Sequence, residues 1–229
     1  RRVLFRSKVV VKPRIIEVPV TTPHEKDTPV DPNGENPDLK WPDGLTETDL
    51  KTTAKRVISY VKKESDTATE EKAKDSTEQV VTFTRKAKVN LVDKTVEYTD
   101  WEAPNKTWDK VGVDVLPGYI ADKKEIPAKE AATPAKDTKV IPDETDKVTY
   151  TKIGSWIPVD PTTGTDGDPI QYPNDPNDPT KTGEITQVIP HKDGYTPKDG
   201  NGTPLEPVNP ANPEEGYKPP KITDPKANI

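Results

Sequence analysis

Residues 81–101 read VTFTRKAKVNLVDKTVEYTDW, an alternating run that ends in a tryptophan. With a tight turn at Asp93–Lys94, Val92 faces Thr95, Leu91 faces Val96 and Val89 faces Tyr98. Side chains alternate between the faces of a strand, so Ala87, Val89, Leu91, Val96 and Tyr98 share one face. Lys88, Asn90, Glu97 and Thr99 share the other, together with Val92 and Thr95. A slip of one residue would send the apolar set to the polar side, so the pattern specifies its own pairing. The dipeptide Asp–Lys lacks the glycine that favours a two-residue hairpin turn, which leaves a longer or bulged loop open.

Further strands are expected around this hairpin. Lys55–Lys62 alternates Val57, Ser59 and Val61 against Ile58 and Tyr60, and its β-branched content favours extension. Val80–Thr84 places Val81 and Phe83 together, and Lys147–Ile153 places Val148 and Tyr150 together. Thr107–Val115 is a weaker candidate, broken by LPGY at 116–119, where Gly118 supplies a turn conformation. Glu64–Glu78 is charged and rich in alanine and threonine, and reads as loop. The expectation is a mainly β, largely antiparallel domain with at most one short helix.

Composition divides the chain. Of its 229 residues 29% are hydrophobic, and the 27 prolines fall seven in 1–53, five in 54–153 and fifteen in 154–229. Such a chain is too polar for one core throughout, whereas about a hundred residues suffice for a modest one. The expected organisation is therefore a proline-rich linker over 8–53, a folded domain over 54–153 and a proline-rich spacer over 154–229. Proline restricts its own and the preceding residue to extended or turn geometry, so both arms read as semi-rigid or disordered. The segment RRVLFRS at 1–7 reverse-translates to the end of a common sequencing-library adapter and reads as non-native rather than as a basic strand. With no methionine anywhere, the chain is expected to be an internal piece of a longer one.

A net charge of −6 without a basic stripe argues against nucleic acid. With no cysteine, a disulfide framework, a thiolate zinc site and a cysteine nucleophile are excluded. No apolar run reaches membrane-spanning length. His24 and His191 lie among prolines without a nucleophile or second histidine nearby and read as solvated. Asp160, Asp166 and Asp168 lack the spacing and terminal glutamate of a calcium loop, so a turn-rich linker accounts for them. No catalytic residue, metal site or cofactor is expected, and the protein does not read as an enzyme.

VTFTRKAKVNLVDKTVEYTDW, followed by the tryptophan of NKTWDKV and then by LPGYIADK, resembles the Mub B2-like domain. This module belongs to the mucin-binding-protein repeats (MucBP/Mub) of Gram-positive surface adhesins. The resemblance covers roughly residues 54–153, with KWPDGLTETDLKTTAKRVISY similar to the lead-in and IGSWIPVDP and YPNDPNDPTK to the following spacer. The chain departs from the family at Asp93–Lys94, where a glycine is usual, and in an Ala/Lys/Pro-rich insertion at Lys123–Asp146. The resemblance implies a β-grasp-like fold in an extracellular, cell-wall-anchored protein built of tandem repeats. It also implies host mucin glycans as partners, with immunoglobulin as the partner of some related repeats. TPVDPNGENP at 28–37 parallels TPLEPVNPANP at 203–213, a spacing of 175 residues consistent with tandem construction.

Four residues are candidate ligand contacts: Glu97 and Thr99 on the polar face of the hairpin, and Trp101 and Trp108, whose rings could stack on sugars. Against the tryptophans stands the need of a domain with few large apolar residues to use both for its core. Trp41 and Trp156 are expected to clamp the flanking segments to the domain. Two functions are open: a module that binds mucin glycans, or a structural stalk unit with adhesion carried elsewhere.

Overall fold

The computed structural model describes residues 14–34, 36–160 and 162–229; the segment RRVLFRS lies outside them. In chain order the elements begin with β1 (Ile15–Val18), the single-turn helix α1 (Glu47–Leu50), β2 (Lys51–Lys63), β3 (Glu71–Thr84), β4 (Ala87–Asn90) and β5 (Thr95–Tyr98). Short strands follow: β6 (Thr107–Trp108), β7 (Val111–Gly112), β8 (Tyr119–Ala121), β9 (Glu125–Ile126) and β10 (Lys129–Glu130). The long β11 (Glu144–Lys152) then leads to β12 (Ser155–Trp156), β13 (Ile170–Gln171), β14 (Asn174–Asp175) and β15 (Asp178–Thr182). The protein is mainly β, as its alternation implies. Two compact units form, one from the residues through Arg56, Glu78–Trp108 and Lys129–Glu144, the other from Val57–Thr77, Asp109–Ala128 and Thr145–Ile229.

The first unit is built on the antiparallel sheet β1-β4-β5. The opening hairpin pairs Val89 with Val96 and Ala87 with Tyr98, two residues from the tight-turn register. An even shift keeps every side chain on its expected face, so Ala87, Val89 and Leu91 are buried and Lys88 and Glu97 are exposed. The loop is longer than a two-residue turn and spans Leu91–Lys94. Asp93 Oδ1 accepts from the Thr95 N–H at 3.0 Å, Asn90 Oδ1 accepts from the Val92 N–H at 3.1 Å, and Lys94 takes a left-handed φ of 60°. That conformation is the one for which glycine is the easy residue.

Extended arms are not what the structure shows. Val18, Trp41, Leu45 and Leu50 are buried with Ala87, Val89 and Leu91 in one cluster of this unit. Lead-in residues reach that core because β1 pairs with β4, Ile16 opposite Val89 and Val18 opposite Ala87. His24 is half-buried and stacked on Trp41 with ring centroids 4.0 Å apart, so it is not simply solvated. A second cluster joins Ala54, Val81, Phe83, Trp101, Trp108 and Ala131.

In the second unit the distal parts of β2 and β3 join β11 and β8 in the order β3-β2-β11-β8. Of the segment read as loop over 64–78, residues 64–70 are turn and coil, but 71–78 are strand, because charged side chains pair across to β2 rather than burying apolar surface. Lys62 and Glu71 form an ion pair at 3.9 Å, and the Tyr60 and Thr77 hydroxyls hydrogen-bond at 3.0 Å. Ile58, Tyr60, Val113, Ala121, Ile126, Val148 and Tyr150 form the core. The Tyr150 hydroxyl donates to Asp114 O at 2.8 Å, and burial above all pushes its pKa up to about 12. Gly118 holds φ at 80° in the LPGY turn, as the sequence implies. Beyond Gly154 the chain is short strands and turns, with Ile153 and Tyr172 buried against Ile222 and Ile229.

Candidate functional site

The polar face of β1-β4-β5 is the accessible surface that the hairpin builds. Register places Glu17 opposite Lys88 and Lys88 opposite Glu97, so three exposed charges of alternating sign cross the sheet in one row. The neighbouring row is Ile15, Asn90 and Thr95, with Ile15 62% exposed. Lys86 Nζ lies 3.4 Å from Glu17 Oε2. The half-buried Thr99 hydroxyl accepts from the Lys86 N–H at 3.0 Å and stands 3.1 Å from Asp100 O. This face is shallow and offers both donors and acceptors, with water screening each charge.

Behind it lies a layer that sequence reasoning missed. Arg85 is only 4% exposed, its guanidinium 3.6 Å from the Tyr98 ring centroid and 4.2 Å from that of Trp101. Nε donates to Asp49 O at 2.8 Å and Nη1 to Lys136 O at 2.6 Å, so the buried cation is solvated by carbonyls and ring faces. Burial lowers its pKa from the usual arginine value and raises that of Tyr98, whose hydroxyl donates to Gly44 O at 2.9 Å. Asp49 closes the layer. Burial pushes its carboxyl up, but hydrogen bonds from Lys139 and Thr46 outweigh that and hold it below the ordinary value. Asp49 Oδ2 accepts from the Thr46 N–H at 3.0 Å, the capping box that starts α1.

The four sequence-derived ligand candidates separate. Glu97 is exposed and Thr99 half-buried at the rim of the polar face. Trp101 and Trp108 are each 2% exposed, which leaves no ring face to lay against a sugar. Trp101 Nε1 donates to Thr138 O at 3.1 Å, tying the ring to the Lys123–Asp146 insertion from within the first unit. Their burial follows from scarcity, since Phe83 is the only other large aromatic of their cluster. Alternation already placed Lys88, Asn90 and Thr95 on the polar face; Ile15 and Glu17 carried no signal, because nothing local announces that β1 pairs with β4. Among the described residues no group of three or more histidine or carboxylate side chains is placed to hold a metal ion, and no helix is long and apolar enough to cross a membrane.

Comparison with known proteins bears on the same segment. The family model of the Muc B2-like domain matches residues 45–154. Among solved structures, the mucin-binding domain of Spr1345 from Streptococcus pneumoniae is 23% identical with a TM-score of 0.36, over 45% of this chain and 92% of that one. The MucBP domain of the adhesion protein from Pediococcus pentosaceus is 24% identical with a TM-score of 0.38, over 44% and 98% of the two chains. The type 2 repeat of the mucus binding protein MUB from Lactobacillus reuteri is 17% identical with a TM-score of 0.35, over 60% of this chain and 58% of that repeat. No curated protein matches the chain significantly. Residues 45–154, which hold the hairpin, Arg85 and both buried tryptophans, match the family model of the Muc B2-like domain.

Proposed function

We propose that this chain is a repeat module of an extracellular bacterial adhesin and that it holds host mucin glycans through the polar face of β1-β4-β5. The observation that carries the reading is the coincidence of a Muc B2-like match over 45–154 with an accessible, hydrogen-bonding face centred on Lys88, Asn90 and Glu97. The family is a binding and adhesion domain and not a class of enzyme. Glu97 and Thr99 are the contacts at one edge of the face; Trp101 and Trp108 serve the core behind it. Cell-wall anchoring on a Gram-positive surface and assembly with further repeats complete the proposal. An immunoglobulin partner finds no support among the matches.

Immobilised mucin tests this with the full chain. Wild type should be retained, and Glu97→Ala should weaken retention about three- to tenfold, the loss of one or two exposed hydrogen bonds, with no change in melting temperature. Retention of neither protein, with adhesion only by a longer parent chain, would favour a structural stalk unit.

A further inference from the structure

We infer that the cleft formed by residues 156–229 of the second unit is a second saccharide site, separate from the Muc B2-like segment. Its volume of about 880 Å³ lies in the range of small-molecule sites, about 300–1,000 Å³. Three of the eight exposed large apolar side chains among the described residues line it: Val159 at 57%, Val188 at 43% and Tyr195 at 42%. Convergence of exposed apolar groups on one concavity marks a binding surface rather than scatter. Trp156, half-buried, adds a second aromatic wall.

The rim selects the class of ligand. Gln187, Thr196 and Lys198 are exposed, line the cleft and have no side-chain hydrogen bond or ion pair among the described residues. Together they offer an amide, a hydroxyl and an ammonium beside the aromatic walls. A sugar ring has the matching character, an apolar C–H face for an aromatic ring and an edge of hydroxyls that need donors and acceptors. An extended peptide fits less well. Pro158, Pro190, Pro197 and Pro220 supply no N–H to the lining. The N–H groups of Ile189, Tyr195, Asp199 and Leu205 are already bonded to Tyr217, Lys192, Thr203 and Pro197 carbonyls at 2.8–3.1 Å. Those four N–H groups are not available to pair with an added peptide strand.

Only the kind of ligand rests on the adhesive reading; the cleft itself does not. The test displays neutral O-glycans released from gastric mucin on an array, with the full chain, Tyr195→Ala, Gln187→Ala and Glu97→Ala, and with a proline decapeptide as competitor. The expected result is a loss of about tenfold for Tyr195→Ala and a smaller loss for Gln187→Ala, with unchanged melting temperatures for these exposed positions. Glycan binding by wild type that both cleft variants keep within about twofold would overturn the cleft assignment and leave the adhesive reading standing. Binding of the decapeptide that Tyr195→Ala abolishes, without glycan binding, would assign the cleft to proline-rich peptide and overturn the saccharide. Failure of wild type to bind either the glycans or intact mucin would overturn both readings.

Discussion

Arg85 stacks between Tyr98 and Trp101 while donating to two backbone carbonyls, Asp49 O and Lys136 O. Removing the side chain would leave both acceptors and both rings facing a void. Arg85→Ala is therefore expected to cost about 2–4 kcal/mol in urea denaturation, with Arg85→Lys intermediate because an ammonium cannot bridge the same geometry. A change under about half a kcal/mol for the alanine variant would show that the stack contributes nothing net. Lys94 presents the opposite case. Its φ of 60° is unfavourable for a side chain with a Cβ, and its own ammonium has no partner among the described residues. Lys94→Gly should raise stability by about 0.5–1 kcal/mol, the relief of the left-handed conformation less the entropy of an added glycine. A destabilised variant would mean that the loop leaves this conformation in solution.

At the scale of elements, the hairpin and the helix cap make separable predictions. Leu91 is 4% exposed and packs in the cluster with Trp41 and Leu45, so Leu91→Ala should cost about 2–5 kcal/mol, whereas Glu97→Ala should stay within about half a kcal/mol. Reversal of that order would refute the facing of the whole hairpin. The α1 cap depends on an ionised Asp49. Its folded pKa is depressed, so the stabilisation is complete above the ordinary carboxyl value of about 4 and is lost as pH falls through the lower folded value. The melting-temperature gap between wild type and Asp49→Asn should thus be widest near neutral pH and narrow as the pH falls below the ordinary carboxyl value of about 4; a gap independent of pH would mean that the charge is not what holds the cap. The sequence made the β4–β5 hairpin legible because one strand face is apolar and the other polar. It concealed the outer half of β3, where Lys62, Lys74 and Tyr60 hold Glu71, Asp114 and Thr77 with no apolar alternation to read.

For the molecule as a whole, the question is whether the proline-rich flanks are folded. In the second unit Gly154 N donates to Pro225 O at 2.9 Å, Ile157 N to Ile229 O at 2.7 Å, and Ile229 N to Ser155 O at 3.0 Å. The C-terminal residues are thus tied to the start of β12 by backbone hydrogen bonds. A Cβ at Gly154 would stand 2.2 Å from Ala227 O and 2.6 Å from its carbonyl carbon, both backbone atoms that cannot rotate away. Gly154→Ala should cost about 1–3 kcal/mol and speed amide exchange at Ile157 and Ile229, measured by hydrogen exchange. Equal exchange in the two proteins would show that this tail is free, as the sequence alone suggested.

By itself the sequence determined which residues of the hairpin face inward, because alternation survives the even shift between a tight turn and the longer loop at Leu91–Lys94. It determined the mainly β character and, through an ordered set of motifs, the resemblance to the Muc B2-like domain. It held Trp101 and Trp108 between ligand and core. Only the tertiary structure decided that both rings are buried, that Arg85 lies between Tyr98 and Trp101, and that Val18, Trp41, Tyr172 and Ile229 belong to cores. The physical reason is one of range. Strand facing is a local, period-two property, whereas burial in a chain only 29% hydrophobic depends on which few apolar residues distant strand pairings bring together.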